Sequence, residues 1–528
     1  MSTIERRERC GAAWRIERET LRVPATVGAM TTARSATNGR RRTATAIATP
    51  DELNAAWAPE QPPSATWTPR PWVPVAERAA IGRAARQVAP RSSHGALDLA
   101  PGRDPVAIIL AQEADRLPDL LPLRHGRMAA SSFAFYRGAP AVMALDLSGT
   151  PRSNIEVQAS GDAHIANFGL FASPERTLVF DSNDFDETLP GPWEWDVKRL
   201  AASVVIAARS NGFTAAEART AVLATVGAYR AQMATYSGMR LLDIWYDQTT
   251  ADEIAAALDR VAKRTGQKGS VAKSGRARLD ALFAKARGKD RMKASGQLTA
   301  VVDGQWRIVD DPPVVTHVET PGGAPALAKT FSDYRATLAE NRRDLVERYR
   351  FIDFALKVVG VGSVGTRCFV VLLEGRDESD PLLLQAKEAT ASVLAPYLTY
   401  SSHANHGERV VVGQRLMQAT PDIFLGWTRG PGGRDFYFRQ LWDMKGSVDI
   451  PSLRPPGLGF YGGLCARSLA RAHARSGDSI AISAYLGTSD TFDGAVADFA
   501  EAYADQNELD HAAFVKAIAD GEIASAEG

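Results

Sequence analysis

The chain has 528 residues, 45% of them hydrophobic and 23% charged, with a formal net charge of +1. That length exceeds what one hydrophobic core normally serves, so two or three lobes are expected, and the near-neutral charge argues against wholesale coating of nucleic acid. No stretch reaches the roughly 20 uninterrupted apolar residues of a membrane helix, MSTIERRERC offers no apolar secretory core, and scattered Cys10, Cys368 and Cys465 make no metal motif, which suits a reducing cytoplasm.

Residues 1 to about 95 read as a basic, Pro-rich leader without fixed structure, because Arg40-Arg41-Arg42, Thr/Ala/Ser tracts and APEQPPSATWTPRPWVP bury too little apolar area. A basic tail that touches a partner is the alternative. From about 104 to 148 the pattern is mostly helical, and the short strand NIEVQAS comes after it. The loop GDAHIANFG, the strand TLVF and the acidic run DSNDFDE come next. VKRLAASVVIAARSNG reads as an apolar helix that stops at Gly212, with helices continuing to about 263. The Lys/Arg-rich stretch 264–298 suits a solvated basic helix or loop. QWRIVDDPPVVTHV suggests a short strand and a proline break. LVERYRFIDFALKVV reads as helical, GVGSVGTRCFVVLLEG and DPLLLQAKEA as strands, and ERVVVGQRLMQ as a helix. PDIFLGWT and DFYFRQLWDMKGS read as paired strands, and the chain from about 459 is helical again. The boundaries expected are 96–344, 345–452 and 453–528 after the leader.

Two constellations carry chemistry. In GDAHIANFG, Asp162 and Asn167 lie five positions apart on a loop between strands, and Asp184 and Asp186 stand at the end of the next strand. Hard cations such as Mg²⁺ prefer carboxylate and amide oxygens and share ligands with phosphates. One carboxylate can stay off the metal and orient a hydroxyl while the others hold the ion. His164 is read as a structural histidine of the loop. The second constellation, Gly360, Gly362 and Gly365 in G-x-G-x-x-G, precedes β-branched residues and so suits a hairpin that covers phosphates rather than a dinucleotide turn. Lys387 on the next strand would reach those phosphates, with Glu408, or second Glu388, as its carboxylate partner.

With these residues in view, GDAHIANFG, NDFDE and GPWEWDVKRLA resemble the catalytic core of the aminoglycoside-phosphotransferase-like kinases. From about 100 to 520 the chain resembles the bacterial family DUF2252, whose phrases include this loop, NDFDE and the Gly-rich, Lys-Glu-Ala segment. The resemblance implies an α+β, two-lobed protein-kinase-like fold, with a mostly helical large lobe, a small antiparallel β lobe, and ATP and Mg²⁺ as cofactors. It implies Asp162 as the catalytic-loop Asp, Asn167 and Asp184 (or Asp186) as metal ligands, and Asp196 as the brace of the loop. The three glycines would form the phosphate cover and Lys387 the phosphate-binding lysine. Ser160 stands where kinases usually have His or Tyr, and the glycine loop and lysine come after the catalytic Asp instead of preceding it. That order implies circular permutation of the lobes.

The expectation is transfer of the ATP γ-phosphoryl group to a hydroxyl acceptor. Sugars, other small alcohols, antibiotics and protein hydroxyls stay open as acceptors. So does nucleotidyl transfer. A nucleotide-binding scaffold without turnover is one alternative. A metallophosphoesterase is another, built on Asp162-Ala163-His164, but none of the eight histidines stands in a Gly-Asn-His or Gly-His context.

Overall fold

The computed structural model describes residues 71–264, 270–288, 296–302, 305–318, 323–358, 360–398, 401–441 and 443–526. The leader expected over residues 1–70 lies outside them. Its remainder differs from expectation, because Val75–Val88 is a helix (α1) and His94 beyond it is fully buried. Two observations explain the order: Arg78 grips Asp478, and Gly82 packs so closely on the Ala481 carbonyl that a Cβ would sit 2.0 Å from it.

Short helices fill 105–148, including Ser132–Gly138 (α2), whose Ser131 side chain caps the Ala134 N–H. Four strands then make two small antiparallel ribbons. Glu156–Ala159 (β1) pairs with Leu189–Pro192 (β4), and Phe168–Ala172 (β2) with Leu178–Ser182 (β3). The central helix Trp193–Ser210 (α3) is buried nearly all round, as expected of a helix inside a large core. Around it pack Ala215–Ser237 (α4), which opens on a Thr214/Glu217 capping box, and helices supplied by the far end of the chain.

Lys198 on α3 is buried without a hydrogen-bond partner, its ammonium 4.5 Å from the Phe499 ring centroid. Burial pushes its pKa down to about 7, and Glu194 opposes the shift. Below that pH folded and unfolded chains both hold the proton, so the fold carries a buried charge. Between about 7 and the ordinary ammonium value only the unfolded chain holds it, and stability rises with pH across that window. Lys198→Met should therefore raise Tm clearly at pH 6 and much less at pH 10. An equal shift at both would assign the effect to packing alone.

After two helices, Ala251–Arg264 and Ser270–Arg287, a hairpin of Thr299–Val302 (β5) and Gln305–Ile308 (β6) leads into a six-stranded antiparallel sheet. Its strands are Val315–Thr316 (β7), Arg350–Lys357 (β8), Cys368–Glu374 (β9), Pro381–Ala389 (β10), Gly426–Arg429 (β11) and Asp435–Gln440 (β12), in the order β11-β12-β10-β9-β8-β7. RFIDFALK is thus a strand, where the sequence suggests helix; pairing with β9, through a bulge between Phe351 and Asp353, outweighs its local helix formers. The sheet's partners also reach further up the chain than a boundary near 345. Gly323–Ala336 covers one face, with Tyr334 stacked 4.1 Å from Phe438, and Leu298 with Trp306 and Ile308 of β6 help to bury Val370, Leu372 and Leu383 on the other.

His406–Met417 (α5) joins β10 to β11. The chain then closes with Pro455–Ser476 (α6), Ser479–Leu486 (α7) and Thr491–Ala519 (α8) back on the helical body. The architecture is α+β. Among the described residues no helix is long and apolar enough to cross a membrane.

Candidate functional site

The loop GDAHIANFG is held by one face of α3. Asp196, Arg199 and Ser203, spaced i, i+3 and i+7, all point at it. The Asp196 carboxylate accepts the Ser160 and Gly161 N–H groups at 2.6 and 3.0 Å. Arg199 Nε donates to Asp162 Oδ1 at 2.6 Å, and Ser203 Oγ accepts the Ile165 N–H. Gly161 takes φ +77°, and a Cβ there would stand 2.4 Å from the Glu187 carbonyl, so a side chain is excluded on both counts. From α6, Tyr461 donates to the Ile165 carbonyl, and His473 sits 3.1 Å from Asp196 and 2.8 Å from the Tyr229 hydroxyl.

Within the loop, Asn167 donates Nδ2 to the Asp162 carbonyl at 2.8 Å and to its Oδ2 at 3.3 Å. His164 is buried, and its Nδ1 accepts the Ala166 N–H. Burial, with Arg137 and Arg199 adding repulsion, holds His164 well below the usual imidazole range. Burial also pushes the Asp162 carboxyl up to about 6; Arg199 opposes this, and Asp184 adds to it.

The acidic run lies against this loop, with the Asn183 N–H bonded to the Asn167 carbonyl at 3.0 Å. Phe185 anchors it by packing with Val410, Val411 and Met417 of α5. Arg409 of the same helix donates to the Asp186, Thr188 and Thr390 carbonyls. Asp184 faces the cavity, its Oδ1 buried without a hydrogen-bond partner. Asp186 turns instead to the sheet, where Tyr437 donates to it at 2.7 Å and Lys387 pairs with it closely. Burial works against the Asp186 charge, but Lys387 and Tyr437 outweigh it and hold the carboxyl below its ordinary range.

Lys387 and Gln385 of β10 stand opposite Tyr437 and Arg439 of β12, so these four share the face turned to the acidic loops. Lys387 is almost wholly buried, with Asp184 Oδ1 at 3.8 Å; Asp184 and Asp186 raise its pKa against the effect of burial. The carboxylate expected to partner it is therefore corrected. Glu408 lies beside His403 at the start of α5, and Glu388, on the opposite face of β10, bonds Arg434 and Arg367. Asp186 takes that place.

The glycine loop joins antiparallel β8 and β9, as a hairpin should, with a 3-10 turn at Val361–Ser363. Gly360 and Gly362 line the cavity. Gly365 does not: at φ +86° it packs on Arg116, and its carbonyl accepts the Leu117 N–H.

One cavity of about 1090 Å³ brings together Asp162, His164, Asn167, Asp184, Lys387, Gly360 and Gly362. Its wall continues through Gln440 at the end of β12 and Leu441 and Asp443 after it, where the linker pairs with β2 through Leu170 and Gly446. Sequence reasoning missed Arg137, Arg199, Tyr437 and Arg439. Arg199 was within reach, three residues from Asp196 on a helix. Tyr437 and Arg439 alternate in DFYFRQ and so had to share a face. Among the described residues no group of three or more His, Cys, Asp and Glu side chains is placed to hold a metal by itself.

No curated protein and no solved structure matches the chain. Residues 116–517 match the family described as "Uncharacterized protein conserved in bacteria (DUF2252)". That match spans most of the chain, and the protein belongs to the DUF2252 family.

Proposed function

We propose that this protein is an ATP- and magnesium-dependent phosphotransferase of kinase-like type, with its lobes in permuted order, acting on a hydroxyl acceptor. One observation carries the reading. Lys387, on the sheet that bears the glycine loop, meets the acidic loop some 201 residues earlier in a cavity that Asp162 and Asn167 also line. Chain order is immaterial to such a site, since geometry alone sets the chemistry.

The residues present fit a hard divalent cation. Asp184 offers a buried oxygen without a hydrogen-bond partner, 3.8 Å from the Lys387 ammonium, and Asn167, whose Nδ2 is spent on Asp162, keeps its amide oxygen. Mg²⁺ typically takes one or two carboxylates and completes its shell with water and phosphate oxygens, so no larger protein cluster is required. When bound, it would neutralise phosphate charge. Gly360 and Gly362 leave room for phosphates under the loop, while Lys387 and Arg439 add positive charge from the sheet. Asp162 Oδ1 is tied to Arg199, and Oδ2, which accepts a long bond of 3.3 Å from Asn167, would take the proton of the acceptor hydroxyl. As it does, the acceptor oxygen bonds to the γ-phosphorus and the bond from phosphorus to the ADP oxygen breaks. Positioning and charge neutralisation supply most of the rate in such transfers.

Titration calorimetry tests the site. Wild type should bind ATP in the micromolar range only with Mg²⁺, and Asp184→Ala should bind about tenfold or more weakly, as expected for loss of a charge-assisted ligand. A folded wild type that binds no ATP overturns the proposal. In an acceptor screen, Asp162→Asn should keep binding and lose turnover. Unchanged turnover in that variant would remove Asp162 from the reaction.

A further inference from the structure

The arginines around the acidic loops are nearly all committed. Arg199 holds Asp162 and the Tyr136 carbonyl, Arg409 holds three carbonyls, and Arg439 holds Gln385 and the Asn183 carbonyl. Arg137, near the end of α2, differs. Among the described residues it forms no side-chain hydrogen bond or ion pair, and its Nε is buried without a partner. It lines the main cavity beside Asp162 and Asp184, and also a small chamber of about 40 Å³ behind Gly362 and Ser363. Its backbone supports the glycine loop, since a Cβ on Gly362 would lie 3.5 Å from the Arg137 carbonyl.

Arg137 is half-buried, and a guanidinium nitrogen withdrawn from water without a partner is costly. Its planar fork of donors matches phosphate oxygens better than any other side chain does. Burial lowers its pKa while Asp162 and Asp184 raise it, which keeps the cation in place without engaging it. It also neighbours both the glycine loop and Asp162. A phosphate chain covered by that loop must end there if its last group is to meet a hydroxyl at Asp162.

We propose that Arg137 binds the terminal phosphoryl group of the nucleotide, so that this side chain distinguishes a triphosphate from a diphosphate. The inference rests on the nucleotide reading above. The competing role is structural, with Arg137 merely screening Asp162 and Asp184 from each other.

The test compares Mg²⁺ complexes of ADP and of the non-hydrolysable imido analogue of ATP, titrated into wild type, Arg137→Gln and Arg137→Lys. Wild type should prefer the triphosphate. Arg137→Gln should bind it roughly ten- to hundredfold more weakly, the loss of a charge-assisted contact, with ADP affinity unchanged. Arg137→Lys, which keeps the charge and the fold, should recover part of the preference. An unchanged triphosphate preference in a variant that melts like wild type overturns the role of Arg137 alone, and so does an equal loss for both nucleotides. A wild type that binds neither nucleotide overturns both readings. If Arg137→Gln does not fold, Arg137→Lys decides: its preference must fall below wild type.

Discussion

Asp196→Ala should lower the urea midpoint of unfolding more than any surface substitution. The Asp196 carboxylate is 1% exposed and serves two backbone N–H groups and the His473 imidazole. Each buried polar group left unpaired costs about 1–3 kcal/mol. Allowing for water that enters the gap, the expected loss is about 3–5 kcal/mol, a large share of the ~5–15 kcal/mol that holds a typical domain together. Asp196→Asn retains one accepting oxygen but turns an NH₂ toward donors, and should fall between the two. A wild-type midpoint for Asp196→Ala would show that the loop holds its shape without the brace.

At Lys387 stability and function can be separated. Lys387→Met leaves Asp186 beside Tyr437 alone. Breaking a buried pair costs about 3–5 kcal/mol, and because the Asp186 side chain is 29% exposed the expected loss is near the lower end, about 3 kcal/mol. Lys387→Met/Asp186→Asn should recover most of it. On the proposed reading Mg·ATP binding should stay lost in both variants, because the lysine proposed to bind the phosphates is gone. A double variant that binds Mg·ATP like wild type would make the lysine purely structural. The pH dependence has a definite sign: Asp186 is held below its ordinary range, so its contribution is full above that range and fades as pH falls through the lowered value. In Lys387→Met most of that slope should vanish from the stability curve.

The legible parts were local in sequence. GDAHIANFG and NDFDE stand between short β-rich runs, so Asp162, Asn167, Asp184 and Asp186 could be gathered by spacing alone, and the β-branched run TRCFVV directly after Gly365 marked the glycine loop as a hairpin. The partner of Lys387 could not be found that way. A helix start made Glu408 attractive, yet which carboxylate reaches a strand lysine depends on how the sheet docks on the acidic loop, a tertiary fact with no local signature. RFIDFALK misled for a related reason: Glu, Arg, Leu, Ala and Lys around it favour helix, and only cross-strand neighbours decide otherwise. Residues 71–95 read as leader by continuity with the Pro- and Arg-rich stretch before them. Their order comes from a glycine and arginines that dock on a helix some 400 residues downstream.

Those long separations have a consequence for biosynthesis. Asp196 and His473 are 277 residues apart, so a ribosome adding about 5–20 residues per second makes Asp196 roughly 14–55 s before the histidine that contacts it. Arg103 waits longer still for Asp510, 407 residues on. Contacts so remote make folding slow, and they leave Asp196 without its histidine until α6 emerges, although Lys387 is made well before it. A nascent chain stalled before α6 therefore carries GDAHIANFG and NDFDE without the histidine that contacts Asp196.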